Sequence, residues 1–393
     1  MMCKLSDICE FVKGKVAVSN LTKMNYISTE NMLPNRGGIV EAATLPSVDT
    51  TQTYTNGDIL VSNIRPYFKK IWFATTSGGC SNDVLVFRAK KDVNPFYLYY
   101  ILSDDRFFNY ATATSKGTKM PRGDKIAIMN YEIEKHTRSE QDAIASILRP
   151  IDEKIALNRE INNNLVEQIK CLCSEWLEHE ELPERWSEYA LSDLAEFISG
   201  YSYKSTELVE SSIAMATIKN FDRNGGFKLD GYKELQPSSK IKPTQFAELF
   251  DILVAHTDLT QNAEVVGNAE MVMSKGNYER IAFSMDLVKV VPKQGLISNF
   301  LLAAILQSQR FKSHCLGYVN GSTVLHLSKK ALPEYRLWLP NNLIELKPLD
   351  EVITGLYKRI SANITENILL QMLHDTVLPK LMSGEIDVSV IEI

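Results

Sequence analysis

What most constrains the fold of this chain is that it states one pattern twice. "LSDICEF" at residues 5–11 returns as "LSDLAEF" at 191–197, so that Leu5, Ser6, Asp7, Glu10, Phe11 and Gly14 align with Leu191, Ser192, Asp193, Glu196, Phe197 and Gly200 at an offset of 186. "GDILV" at 57–61 meets "FDILV" at 250–254 at an offset of 193, and "DRF" with Lys116-Gly117-Thr118 meets "QRF" with Asn320-Gly321-Ser322 at 204. An offset that grows in steps is what loop insertions do to a duplicated unit. Two copies of one domain are expected.

Each copy is followed by a segment of different texture. In "SEQDAIASILRPIDEKIALNREINNNLVEQIKCLCSEWLEH", residues Ile144, Leu148, Ile151, Ile155, Asn158, Asn162, Leu165, Ile169, Leu172 and Trp176 fall on alternating seam positions of a seven-residue repeat. Moved by 205, the pattern returns as Leu349, Ile353, Leu356, Ile360, Asn363, Asn367 and Leu370. Such a repeat is a coiled-coil seam, and buried asparagines in it cost stability but fix register and partner. If the two helices pair about a pseudo-two-fold axis they run antiparallel, with Asn158 facing Asn367 and Asn162 facing Asn363. A helix of roughly 30 residues is about 45 Å long. Pro150 predicts a kink or a fresh start, and the second helix is expected to stop near Thr376, before "VLPKLMSGEI".

Inside each copy, short β-rich runs ("DILVSNI", "IWFATT", "DVLVFRA"; then "DILVAHT", "AEMVMS", "MDLVKVV") lead to an amphipathic helix, "PFYLYYILSDDRFFNY" or "SNFLLAAILQSQRFKSH". The fold class is therefore α+β: two tandem, irregular β-rich domains with helices, separated by two long helices forming an antiparallel coiled coil. The boundaries fall at 1–138, 139–181, 182–344 and 345–393. The opening leucines Leu5 and Leu191 are expected in the cores, with Ser6 and Ser192 capping a first helical turn.

Composition excludes some classes. Apolar residues make up 45% and charged residues 23% of the chain, an ordinary balance for a water-soluble protein. No apolar run is long enough for a membrane span, and no signal peptide is recognisable, so a cytoplasmic protein is expected. The six cysteines form no C-x-x-C pair and read as free thiols. The net charge of −5 is unevenly spread: residues 1–138 hold 18 basic and 13 acidic residues, 139–184 hold 4 and 11, 185–345 hold 17 of each, and 346–393 hold 4 and 7. Acid is concentrated in the helical segments, and local charge governs attraction to phosphate.

Catalytic signatures are lacking. "SKGTKMPRGDK" does not have the spacing of a phosphate loop, and there is no glycine-rich dinucleotide or S-adenosylmethionine fingerprint. "NPFY" at Asn94–Tyr97 lacks the second proline of the adenine-methyltransferase signature and reads as a helix start, Asn capping and Pro first. The histidines lack metal-ligand spacing, so no metal site is expected, and His256 and His326 read as satisfied structural residues. What remains suits binding. "SNIRPYFKKIW" interleaves Arg65, Lys69 and Lys70 with Tyr67, Phe68 and Trp72, and "SKGTKMPRGDK" offers Lys116, Lys119, Arg122 and Lys125. Such residues neutralise phosphates or read base edges.

Assembled, the chain resembles the specificity (S) subunit of type I restriction-modification systems. "SEQDAIASILRPIDEKIALNREINNNL" looks like that family's first conserved helix, "LLQMLHDTVLPKLMSGEI" like its C-terminal signature, and "GDILVSNIRPYFKKIWFATTSGGCSNDVLVFRAK" with "KGTKMPRGDK" is similar to one type of target-recognition domain. "NGSTVLHLSKKALPEYRLWLP" matches more loosely. The resemblance implies that each domain reads one half of a bipartite, asymmetric site on double-stranded DNA. The helices would set the spacer, half-sites one turn apart lying ~34 Å from each other, and would dock two modification (M) subunits. Restriction (R) subunits would join for cleavage in phage defence. The chain would be non-catalytic and without a cofactor of its own, S-adenosylmethionine belonging to the M subunits and ATP and Mg to the R subunits. DNA-contact candidates on this reading are Arg65, Lys69, Lys70, Lys116, Lys119, Arg122 and Lys125 in the first domain, and Lys204, Lys219, Asn320 and Ser322 in the second. Two rivals stand beside it: a single-chain DNA methyltransferase or nuclease with an unrecognised motif, and a coiled-coil scaffold that does not touch DNA.

Overall fold

The computed structural model describes residues 2–177, 183–223, 225–260 and 262–388. The chain divides into two compact units, Met1–Lys154 with Leu370–Ile393, and Ile155–Leu369. The long helices Arg138–Leu177 and Lys347–Met382 thus contribute to both units.

The first unit is built on two four-stranded sheets. One has the order Cys9–Phe11, Val84–Ala89, Ile59–Ser62, Ile71–Phe73, and the other Lys15–Ala17, Thr50–Tyr54, Gly78–Cys80, Tyr26–Ile27. Ile59, Leu60, Val61, Val84, Leu85, Val86 and Phe87 are all buried, as runs of branched and aromatic residues must be when a sheet is covered on both faces. Helix Pro95–Ser103 packs on the first sheet, and helix Asp105–Ala113 adds Phe107, Phe108 and Ala111 to the same core. Asn94 caps the former through the N–H groups of Phe96 and Tyr97 with Pro95 in its first turn, as the sequence predicts.

The second unit repeats this plan in register. Cys9 faces Ala89 and Ala195 faces Pro292; Ile59 faces Phe87 and Ile252 faces Val290; the parallel pair Ile27 and Cys80 corresponds to Ala216 and Phe283. The copies differ at one sheet edge, where Lys15–Ala17 flanks Thr50–Tyr54 but Lys233–Glu234 flanks Ile213–Ala216 instead.

The repeated opening motif locks each copy shut. Leu5 and Leu191 are fully buried, and their N–H groups donate to Tyr131 O and Tyr335 O. The serines do not cap. Instead Asp7 and Asp193 accept the backbone N–H of Lys4 and Ala190 at 2.8 and 2.9 Å, because a carboxylate at the third helical position reaches back where a serine at the second does not. Ser6 O and Ser192 O each accept a lysine ammonium, from Lys90 and Lys293.

Two expectations for the long helices need correction. Pro150 neither restarts nor ends the first, which runs unbroken to Leu177. The second continues past Thr376, through Pro379, to Met382. Burying Leu378, Leu381 and Met382 in the first unit's core is worth about 1.5–3 kcal/mol each, enough to offset the roughly 3 kcal/mol cost of an interior proline. Within the second unit the two helices pack together. Asn158, fully buried, donates to Asn367 at 2.9 Å and to Glu366 at 2.7 Å. Asn363, 1% exposed, donates to Asn162 at 2.7 Å. That order of partners is antiparallel. Near the end of the first helix Cys173 is buried and Trp176 is 40% exposed, since a straight helix drifts off a strict 3.5-residue seam.

Candidate nucleic-acid interface

In the first unit, loops 62–70 and 116–125 are stitched into one surface. Ile64 and Lys116 both bridge to Arg122 as antiparallel partners. Arg65 N donates to Pro121 O at 2.8 Å and Gly123 N to Asn63 O at 3.1 Å. A third segment joins them, Asn35 N donating to Phe68 O and Arg36 N to Lys69 O. Composition alone did not reveal Arg36.

The cations here are held, not loose. Lys69 bonds Asp105 at 2.8 Å, and Arg36 bonds the same carboxylate and Ser103 O. Burial alone would raise the pKa of Asp105, but the bonds from Lys69 and Arg36 outweigh it and hold the carboxyl below its ordinary range. Lys116 pairs with Asp124 at 2.5 Å and Arg122 with Asp83 at 3.1 Å. Lys70 is turned inward onto Thr29 O at 2.6 Å, and burial draws its ammonium below its usual pKa. Among the described residues Lys119 and Lys125 are exposed without an ion pair. The surface carries eight cations against Asp83, Asp105 and Asp124, so it stays basic while its carboxylates fix where the charges point.

The second unit has the same frame with other side chains. Thr257 and Asn320 both face His326 across a three-stranded sheet, and Leu327 N donates to His256 O at 2.8 Å. By the offsets of 193 and 204, Thr257 stands where Ile64 does, Asn320 where Lys116 does, and His326 where Arg122 does. Asn320 and Ser322 are exposed at the hairpin tip. Lys204 and Lys219 are also exposed, but among the described residues no bond or ion pair joins either to that hairpin. Asp258, in the place of Arg65, is turned inward and accepts from Thr260, Val265 and Val266 N–H groups. The second surface is correspondingly less basic.

Two histidine expectations are overturned. His326 is exposed on the hairpin, because it sits on the outward face of a strand whose neighbours Leu325 and Leu327 take the core side. His256 is largely buried with Nε2 unpartnered, and burial, helped by Lys329, lowers its pKa to about 4. Asn63, its counterpart, likewise has a buried oxygen without a partner. Applying the repeat offsets to Arg122 would have found His326 in the sequence. Among the described residues no cluster of three His, Cys, Asp or Glu is placed to hold a metal, and no helix is long and apolar enough to cross a membrane.

The family model for the type I restriction modification DNA specificity domain matches residues 1–167. Over 97% of its length the chain is 20% identical to the type I restriction enzyme HindI specificity subunit of Haemophilus influenzae, covering 98% of that protein. It is 23% identical to the MjaVIII specificity subunit of Methanocaldococcus jannaschii, over 98% of this chain and 92% of that one. Over nearly its whole length the chain is thus similar to the specificity subunits of type I restriction-modification systems. The fold agrees: the type I S subunit from M. genitalium superposes with a TM-score of 0.57 at 17% identity, over 97% of this chain and 96% of that one. A specificity subunit of this kind is a non-catalytic, DNA target-recognition subunit.

Proposed function

We propose that residues 1–138 and 182–344 of this specificity subunit each read one half of a bipartite, asymmetric duplex DNA site. Segments 139–181 and 345–393 set the unspecified spacer and dock two M subunits, with R subunits joining for cleavage. S-adenosylmethionine is then bound by the M subunits, and ATP and Mg by the R subunits. Such a complex works in the cytoplasm, where the DNA is.

One observation carries the reading. The hairpin frame around Arg122 and His326 is repeated in register while its exposed tips differ, Lys116 and Lys119 in one unit and Asn320 and Ser322 in the other. A constant frame with variable polar tips suits two readers of unlike half-sites, since phosphate contacts position a protein and base contacts specify it. Acid concentrated in the long helices favours protein partners there over phosphate.

The test is to map methylated adenines in cells carrying the M subunits with and without this gene. A split motif with a fixed gap, present only with the gene, is expected. An unchanged methylation map overturns the proposal.

A further inference from the structure

On the basic surface of the first unit the chain holds two large aromatic rings out to solvent. Tyr67 is 47% and Phe68 38% exposed, with ring centroids 4.8 Å apart. They sit on a single 3₁₀ turn, Pro66–Phe68, with a left-handed residue at each end, Arg65 at φ 50° and Lys69 at φ 51°. Neither is a glycine, and such conformations cost of order 1–3 kcal/mol each and persist only where the surroundings impose them. Here they do. Arg65 N is tied to Pro121 O, Phe68 O to Asn35 N, Lys69 O to Arg36 N, and Ser62 N to Lys70 O, while Pro66 is buried beneath the turn. The fold spends strain on fixing an apolar pair that is left half-exposed to water.

Its surroundings name the occupant. Arg65 and Lys69 flank the pair in the chain, Lys70 Nζ lies 6.0 Å from the centroid of the Phe68 ring, and the loop that carries Lys119, half-exposed Met120 and Arg122 is bonded to the turn through Arg65 N and Pro121 O. An apolar tip framed by cations fits a polyanion with flat apolar faces inside, which is duplex DNA. The second unit does not repeat the device: Asp258, in the place of Arg65, is turned inward, and the segment after it holds Leu259 and Thr260 but no aromatic residue.

Resting on the half-site reading above, we infer that Tyr67 and Phe68 form a rigid wedge that stacks on bases at one step of the first half-site and unstacks that step. Apolar side chains inserted between base pairs are a known way to distort a duplex, and a rigid wedge loses little entropy on binding.

The test uses the full chain assembled with its M subunits and duplexes carrying the mapped site, with 2-aminopurine placed in turn at each first-half position and, as control, in the second half. Wild type is expected to raise fluorescence at one first-half step. The Tyr67→Ala/Phe68→Ala variant is expected to lose that rise and to bind the site about tenfold more weakly, with its salt dependence unchanged because no cation is removed. Tyr67→Trp should keep the rise. Circular dichroism checks that the variants fold. Bound wild type with no fluorescence change at any first-half position, or a double-alanine variant that behaves as wild type, overturns the wedge alone. Failure of the wild-type assembly to bind the site overturns both the half-site reading and the wedge.

Discussion

At the scale of single residues, the basic surface separates cations that are committed from cations that are available. Lys69, Lys116 and Arg122 already have carboxylate partners, so removing any of them also frees an acid. Lys119 has none to free. Lys119→Ala is therefore expected to weaken DNA binding by the assembled methyltransferase uniformly across sequences and to lower the slope of log affinity against log salt by about one, with assembly intact. A binding titration at several salt concentrations checks it; an unchanged slope refutes it. His256 makes a different prediction. Its folded pKa of about 4 lies below the usual 6.5, so the unfolded chain binds the proton more readily. The corresponding stability is complete above pH 6.5 and is lost as pH falls toward 4, by up to about 3 kcal/mol. His256→Asn, which installs the first copy's residue, is expected to reduce the fall in denaturation midpoint between pH 7 and pH 5 relative to wild type. Comparing the two proteins cancels the opposite trend of Glu270, whose buried carboxyl is pushed up to about 7.

At the scale of elements, the asparagine layers are where the paired helices are held in register. Asn158 and Asn363 donate across the seam from fully buried positions, and no leucine can do so. Replacing both by Leu leaves Asn162 and Asn367 without donors and removes the penalty on slipped alignments. Spin labels at the exposed positions 159 and 369 are expected to give one distance in the parent chain and a broadened or shifted distribution in the double variant; an unchanged distribution refutes the register role. These layers were legible beforehand because a seven-residue period with two recurring asparagines is a local signal. The end of the second helix was not. Pro379 reads as a stop, and only the burial of Leu378, Leu381 and Met382 in a core assembled from residues far away in sequence overrides it. His326 was misjudged for a related reason: in "VLHLS" an alternating pattern tells that the histidine faces opposite to its leucines, but not which side is water. Arg36 was invisible because what makes it matter is Asp105, 69 residues away.

At the scale of the whole molecule, duplication explains most of what was readable. Matching letters at 5–11 and 191–197 became matching strand registers and matching backbone bonds, whereas the differing tips gave no clue to a target. That division follows from physics: a buried sheet tolerates few alternatives, while an exposed hairpin tip tolerates many. The bond that shuts each copy has a further consequence. Met2–Lys4 pairs with Glu132–Glu134, and Trp186–Ala190 with Arg336–Pro340, so each copy's first and last strands lie side by side, with the Lys90 or Lys293 clasp just behind the first. A segment whose entrance and exit are neighbours is a cassette. On the half-site reading proposed above, genetic exchange that cuts at those two strands would swap one address for another and leave the rest of the chain unaltered, so that a lineage would change its target in one step without rebuilding how the chain is held together.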